Sequence, residues 1–369
     1  MTGHSVRISQ RASPWAPTDE WQTPLGQLDQ VLAQRKRLRL RIACPSQEFA
    51  AAEMAFGLCR WLSCSRGIWE SLTLGTERDL ALIMLQAPRI GSDVLDYLFT
   101  LLPVHARSSQ SRHALIEIDD ARDLHLSEKV LARTSLLARL QSTLRLAREH
   151  GHHVEGLSCY SSSPRMAELA AQLGVDLIDA DPALLIWGTK VGSRQVFRRT
   201  GIRHPSGSYQ PDMTIASLTV TLNDLVRQFG HGRWMVKADY GFGSGHGNAI
   251  IDTTNLPCPL TALSLAQALR PCAEQVTGSN YVERITSVGA IVEQVVASGQ
   301  NDTLHYPSAL GYLRRDEDGR VGVTLLGIHD QVLGSSGDYI GCRFPARPAY
   351  RTLVVQSRFH GEWSSCGVP

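Results

Sequence analysis

This chain of 369 residues lacks most of the features that would quickly narrow its function. It has almost no net charge, with 37 Lys and Arg set against 35 Asp and Glu. Nucleic-acid surfaces carry a stronger basic excess, so nucleic acid is not an expected partner. No apolar run reaches the roughly 18 residues of a bilayer span. Met1 to Gln22 is polar, with prolines and tryptophans, and holds no apolar signal-peptide segment. The expectation is a cytoplasmic protein with no membrane partner. Cysteines stand at 44, 59, 64, 159, 258, 272, 342 and 366, without a C-x-x-C pair near histidines. That spacing argues against zinc, and a reducing compartment argues against disulfides. No G-x-x-x-x-G-K-[ST] loop is present, and no G-x-G-x-x-G follows a strand and opens a helix. There is no internal repeat and no low-complexity segment.

What is present fits a soluble globular protein: 43% apolar and 20% charged residues, and enough length for two or three domains. Residues 1–35 read as a poorly ordered lead-in, with Trp15 and Trp21 as docking anchors. Leu38 to Ile42 alternates apolar and charged residues, a strand signal. Helical spacing follows through Phe49, Met54, Phe56 and Leu58. Leu80 to Met84 is a continuous apolar run, as in a buried parallel strand. Leu95 to Leu102 is helical, and Ala114 to Ile118 is a strand ending in Asp119-Asp120. Ser127 caps a long helix reaching about His150, its apolar face supplied by Leu136, Leu137, Leu140 and Leu144. Val154 to Cys159, Pro164 to Leu173 and Val175 to Ile178 continue as strand, helix and strand. This alternation predicts an α/β domain with a largely parallel sheet, ending near residue 180. The strand endings Asp119-Asp120 and Ser161-Ser162-Ser163 either line a site at the carboxyl edge of the sheet or are turns and helix caps.

The second half centres on Arg233 to Asp252. Trp234-Met235-Val236 is an apolar run ending in Lys237; Gly241, Gly243, Gly245 and Gly247 fall at every second position; Ala249-Ile250-Ile251 is another strand. A lysine at a strand end beside a glycine-rich turn suits a polyphosphate, because glycines let backbone N–H groups approach phosphate oxygens. A surface hairpin with an exposed lysine is the competing account. Upstream, Gly188-Thr189-Lys190 precedes a helix over about Ser193 to Thr200, and Ile215 to Phe229 is helical, stopped by Gly230. Downstream, Leu260 to Leu269 is helical, Tyr281 to Ile285 reads as a strand, and Gly289 to Val296 is an apolar strand interrupted by Glu293-Gln294. Ala309 to Leu313 and Val321 to Ile328 form a hairpin, followed by a loop over Gly334 to Gly341.

Three features thus stand in a fixed order: Gly188-Thr189-Lys190, Val236-Lys237 with its glycines, and Ile291-Val292-Glu293-Gln294-Val295-Val296. This order resembles the ATP-grasp superfamily of carboxylate–amine ligases. The α/β front half, the Lys190-Val191-Gly192-Ser193-Arg194 stretch and Arg343-Phe344-Pro345 look more narrowly like peptide ligases of the pheganomycin type. The resemblance implies an α/β then α+β architecture. A parallel-sheet pre-ATP-grasp domain over residues 36–182 precedes an incomplete ATP-grasp nucleotide-binding region over 183–350, and 351–369 form an atypical tail. It implies ATP and magnesium as cofactors. Lys190 and Lys237, on different strands, would clamp the phosphates, and the turn from Gly241 to Gly247, with Gly243, Ser244 and Gly245, would close over them. The Gln294 carbonyl and the Val296 N–H would read adenine, with Val236, Val292 and Val295 as walls and Glu293 beside the adenine amine or Lys237. Asp302, near Gln300, would reach the ribose. His329, Arg343 and Arg347 would meet the acyl phosphate or substrate carboxylate. The implied chemistry activates a substrate carboxylate as an acylphosphate, which an amine then attacks. The partners would be a small-molecule carboxylate and an amine or peptide, and a chain of this size is compatible with a homodimer.

The sequence departs from that pattern after Tyr350. The family places an acid and an Asp/Glu–x–Asn pair there as magnesium ligands, whereas Glu362 is the only acid after residue 338. The metal ligands therefore stay unassigned. Two expectations follow: a C-terminus truncated or frameshifted relative to the family, or a degenerate member that binds nucleotide or a peptide without ligating anything. A doubly wound cofactor-binding protein using residues 38–180 is a third reading, opposed by the missing glycine fingerprint.

Overall fold

Four parallel strands carry the first half of the chain: β1 Arg39–Cys44, β2 Leu80–Gln86, β3 His113–Glu117 and β4 His153–Cys159, in the order β3-β2-β1-β4. The structure, a computed structural model, describes residues 21–48, 59–89, 92–101, 109–241, 246–273, 276–296, 306–316, 318–334 and 339–348. It resolves into two compact units that divide between Pro182 and Ala183.

In the first unit the strands alternate with α1 Gln22–Gln34, α2 Cys59–Leu72, α3 Ser92–Thr100, α4 Leu126–Leu131, α5 Thr134–Glu149 and α6 Pro164–Leu173. Every residue of β2 is buried, because both faces of the sheet are covered. The period of two divides its side chains: Ala81, Ile83 and Leu85 join one core with helices α1, α4, α5 and α6, while Leu80, Leu82 and Met84 face a second core with Phe99 of α3.

Three expectations fail here. Gln22–Gln34 is no loose lead-in but a helix whose Leu25, Leu28 and Leu32, with Trp21, sink into the larger core. Their three- and four-residue spacing is that of one helix face. The long helix from Ser127 is two helices. The first is capped by His125, whose N–H donates to Glu128 Oε2 at 3.0 Å, and the chain breaks at Ala132-Arg133 before α5. Val175 to Ile178 makes a single bridge, Leu157 to Leu177, instead of a strand. The helix expected through Phe49 to Leu58, the anchor Trp15 and the tail 351–369 lie outside the described residues.

The second unit begins with α7 Leu185–Gly188, α8 Lys190–Thr200 and α9 Ile215–Phe229. β5 Arg233–Ala238 and β6 Asn248–Asp252 follow, then α10 Ala262–Ala268, β7 Arg270–Pro271, α11 Gly278–Val288 and β8 Ala290–Gln294. The strands pair antiparallel in the order β7-β6-β5-β8. One face of this sheet, with Trp234, Val236, Ala249, Ile251 and Val292, packs on Leu218 and Leu222 of α9, Leu265 of α10, and Tyr281 and Ile285 of α11. Tyr281 to Ile285, expected as a strand, is therefore helix. Thr277 caps it by accepting from the Asn280 N–H, and Tyr281, Arg284 and Ile285 share its buried face. Gly289, at φ 81°, ends it. A separate antiparallel sheet follows, with β9 Pro307–Arg315, β10 Val321–Leu333 and β11 Tyr339–Arg343 in the order β11-β10-β9. The expected hairpin is there, and the second part of the expected Gly334–Gly341 loop belongs to β11. An α/β unit with a parallel sheet is thus followed by an α+β unit.

Candidate functional site

β5 and β6 place Lys237 one residue before the end of its strand, opposite Asn248, with the glycine-rich turn between them. Alternation along β5 buries Trp234, Val236 and Ala238 and turns Met235 and Lys237 to the other face. On β8 the cross-strand partners of those two residues are Glu293 and Ile291, so all four share that face. The Lys237 ammonium reaches diagonally to Glu293 Oε1. Val236 and Val292, expected as walls for adenine, belong to the core on the opposite face. Met235 and Ile291 are the apolar residues that flank Lys237 and Glu293. Counting back by two from Lys237 and from Glu293 would have found them.

The base of the turn is fixed. The Ala238 N–H donates to the Gly247 carbonyl at 2.7 Å, and the buried Tyr281 hydroxyl donates to the Val236 carbonyl at 2.7 Å. Gly243, Ser244 and Gly245 lie outside the described residues, as do Gln300 and Asp302.

Lys190 opens helix α8 and does not sit on a strand, which corrects the picture of two strand lysines. Thr189 is the N-cap and accepts from the Gly192 N–H at 2.9 Å. Asp239, two residues beyond Lys237, satisfies the first turn: its carbonyl accepts from the Lys190 N–H at 3.0 Å and its Oδ1 from the Val191 N–H at 2.7 Å. Lysines 47 positions apart are thereby brought to one place. A Cβ at Gly192 would lie 1.9 Å from the Ile186 carbonyl oxygen, so only glycine lets α7 approach this turn. The Lys190 ammonium is pushed below its ordinary value, first by burial and next by the positive charge of Lys237, with Asp239 and Glu293 opposing. No ion pair joins its ammonium to a carboxylate among the described residues.

Glu293 is held from its other side by Arg194, whose Nη1 donates to Oε2 at 3.1 Å. Arg194 is buried, and its remaining nitrogens donate to the Ser208 carbonyl at 2.8 Å and the Pro205 carbonyl at 2.9 Å. The segment from Ser206 pairs along β8: the Gln294 N–H donates to the Ser206 carbonyl at 2.8 Å and the Ser208 N–H to the Val292 carbonyl at 2.8 Å. A Cβ on Gly207 would lie 2.2 Å from the Val292 carbonyl oxygen, so this approach also demands glycine. Sequence reasoning missed Arg194 and Asp239 as site residues. The available signals were their places in Lys190-Val191-Gly192-Ser193-Arg194 and Lys237-Ala238-Asp239.

Gln294 and Val296 are exposed at the end of β8, where the Val295 N–H donates to the Arg233 carbonyl at 3.0 Å. His329 and Arg343 stand on the β9–β11 sheet. Arg343 pairs with Asp330, one residue beyond His329, so His329 and Arg343 project from opposite faces. Neither makes a hydrogen bond or ion pair with Lys190, Lys237 or Glu293 among the described residues. The Arg347 N–H donates to Asp330 Oδ2 at 3.1 Å.

The arrangement is a shared carboxylate, Glu293, between two cations, with a third cation, Lys190, that has no ion pair among the described residues. It suits an anion with several oxygens, of which each ammonium can neutralise one. No group of three or more His, Cys, Asp or Glu side chains with metal-binding geometry occurs among the described residues.

Comparison with known proteins gives one curated relative. It is the L-propargylglycine–L-glutamate ligase of Streptantibioticus cattleyicolor, 31% identical over 201 residues, which cover 54% of this chain and 39% of that protein. The match supports the ATP-grasp assignment implied by the Lys190, Lys237, Glu293 order. The chain spans about two-fifths of the length of this relative. A solved structure, the biotin carboxylase domain of a thermophilic 2-oxoglutarate carboxylase bound to bicarbonate, aligns over 86% of this chain and 56% of its own at 12% identity, with a TM-score of 0.42. That likeness is too distant to carry fold or function. No protein-family model matches the chain.

Proposed function

We propose that the second unit binds ATP and that the protein is an ATP-dependent carboxylate–amine ligase forming an amide or peptide bond. The observation that carries this reading is the placing of Lys190 beside Lys237 at the mouth of the glycine-rich turn, with no ion pair to Lys190 among the described residues. Bound phosphate oxygens would supply a counter-ion to it. The similarity to an amino-acid ligase supports a carboxylate and an amine as the other reactants. ATP would supply the activating phosphoryl group. Glu293 orients the Lys237 ammonium and is itself oriented by Arg194; Asp239 fixes the start of α8 and so the position of Lys190. Met235, half-buried, would offer apolar surface beside them. Magnesium belongs to such chemistry, but the described residues assemble no carboxylate set for it, and no step is assigned to a metal.

The test is ADP release with ATP, magnesium and mixed amino acids, alongside thermal stabilisation by nucleotide. Lys237→Ala should lower ADP release by about 10²–10³-fold, the usual loss of one charge-stabilising donor, and should abolish the stabilisation. Full stabilisation of the variant would overturn the site assignment. Stabilisation of the native chain without turnover would favour the alternative, a homologue that binds nucleotide or a peptide without ligation.

A further inference from the structure

The first unit has a crevice of its own. The chain runs from β1 outward to β2 and β3, then returns to place β4 on the other side of β1. Neighbouring strands therefore lead away in opposite directions where β1 and β4 end, at Cys44 and Cys159. In open parallel sheets this switch point leaves a gap at the carboxyl edge where ligands sit. A cavity of about 230 Å³ occupies that place. Its floor includes Ala43 and Cys159, and its walls include Tyr160 and, from α2, Arg66, Trp69 and Glu70. The last three share a helix face by their three- and four-residue spacing.

The strand endings considered in the sequence are mostly caps and turns. Ser163 accepts from the Met166 N–H at 3.1 Å, the Ser162 hydroxyl donates to the Ala180 carbonyl, and Asp120 pairs with Arg122 and Arg133. The residues at the crevice are not used up in this way. Trp69 is 66% exposed and Tyr160 49% exposed, two large aromatic surfaces side by side on one cavity. Arg66 lies over the Tyr160 ring at 4.4 Å and makes no ion pair among the described residues. Glu70 keeps one buried carboxylate oxygen, Oε2, that takes no hydrogen bond. The nearest cation, the Arg41 guanidinium, is 3.8 Å away and directs its Nε to Glu155 at 2.7 Å instead. Cys159 is a wall and not a nucleophile: burial first, then Asp179, holds its thiol protonated.

A nucleotide does not suit this place. Among the described residues that follow the two strands, Pro45-Ser46-Gln47-Glu48 after β1 and Tyr160-Ser161-Ser162-Ser163 after β4, none is a glycine that would admit phosphate. Glu70, with Asp179 close enough to raise its pKa further, adds negative charge. The volume is below the roughly 300 Å³ at which drug-sized sites begin. What remains is a small ligand with one positive end, one negative end and an apolar body. We propose that this crevice binds a free α-amino acid with an apolar side chain, its ammonium at Glu70, its carboxylate at Arg66 and its side chain against Trp69 and Tyr160.

The proposal is tested on the full chain without nucleotide, by L-phenylalanine titration followed through tryptophan fluorescence and calorimetry. Saturable binding with a Kd on the order of 1 mM or tighter is expected. Trp69→Phe should remove most of the fluorescence response and leave the calorimetric signal. N-acetyl-L-phenylalanine, which lacks the ammonium, and L-phenylalaninamide, which lacks the carboxylate, should each bind about tenfold weaker or worse, the loss of one charge-assisted contact. Arg66→Ala should weaken L-phenylalanine binding by a similar factor. Arg66 is exposed and unpaired among the described residues, so its loss leaves the fold intact. No saturation, equal binding of the N-acetyl compound, or an unchanged Arg66→Ala variant would each overturn the proposal. Binding is read without nucleotide and ADP release is read at Lys237, so this site and the ligase reading can fail separately.

Discussion

Each unit sets an ionic cluster on its sheet, and the two clusters are balanced in opposite ways. In the first unit Arg39 touches three carboxylates: Glu155 at 2.5 Å, Glu77 at 2.8 Å and Asp79 at 2.8 Å. Arg41 adds a second contact to Glu155 at 2.7 Å and lies near Glu70. Every cation there has an acid, and Arg41 carries the cluster to within 3.8 Å of Glu70, which lines the switch-point crevice. In the second unit one acid, Glu293, serves two cations, and Lys190 stands by without an ion pair among the described residues. Similar ingredients thus make a closed network in one place and the proposed anion site in the other. A count of charged residues could not have told them apart.

The largest expected effect separates the two clusters by burial. Arg194 and Glu293 have side chains 4% and 14% exposed. Arg194→Ala would strand Glu293 with only Lys237 and leave two carbonyls without donors, so a stability loss of about 3–5 kcal/mol is expected. Arg39→Ala, at a site 31% exposed, should cost about 1 kcal/mol or less per pair after solvent screening. Urea unfolding of both variants checks this. Equal losses would break the comparison and make Arg39 as structural as Arg194. Arg194→Lys should recover only part of the loss, because an ammonium cannot make all three directed contacts.

A smaller effect concerns the turn beside the open cluster. Tyr281→Phe removes the hydroxyl that ties the Val236 carbonyl, with Gly247 at 3.4 Å as its second contact. A loss of about 0.5–1.5 kcal/mol is expected, together with faster amide exchange at Ala238, whose N–H holds the Gly247 carbonyl. Unchanged exchange at Ala238 would show that the turn is fixed without Tyr281.

The parallel sheet was readable from the sequence because both of its faces are buried. Runs such as Leu80 to Met84 admit few other readings once helices lie between them. The lead-in was misread because Leu25, Leu28 and Leu32 sit in a polar stretch, where three spaced leucines are a weak signal without the core they enter. Tyr281 to Ile285 was misread because a short apolar run has no clear period; Thr277 and Gly289 at its ends decide for helix. In the site, Lys190, Lys237 and Glu293 were singled out by their order, and the structure sets Lys237 on Glu293 with Lys190 close enough for Lys237 to repel its charge. Arg194 and Asp239 were hidden because their roles depend on which backbone groups the fold brings to them, the Ser208 carbonyl 14 positions from Arg194 and the Val191 N–H 48 positions from Asp239. The sequence could not show that Val236 and Val292 turn away from Lys237, since that depends on which face the α9 and α11 helices cover.

The smallest expected effect is also the sharpest on sign. Asp79 of the closed cluster is held at about 2 by its hydrogen bonds to Arg39. Its contribution is present above the ordinary aspartate value and is lost as pH falls from there towards about 2. Lys190 of the open site works the other way. Its folded value lies below the ordinary lysine value, through burial first and Lys237 second. Between those two values the unfolded chain binds more protons than the folded one, so stability rises with pH across that window. Other groups titrate there as well, including buried thiols whose values are raised. The measurement is therefore a difference: the urea midpoint of the native chain minus that of Lys190→Met, followed from neutral to alkaline pH. The difference should move in favour of the native chain as pH rises. A polyphosphate should flatten it, because phosphate oxygens stabilise the charged ammonium and pull its value back up. A difference that stays flat without ligand would mean that Lys190 is compensated after all, and the second cluster would then be as closed as the first.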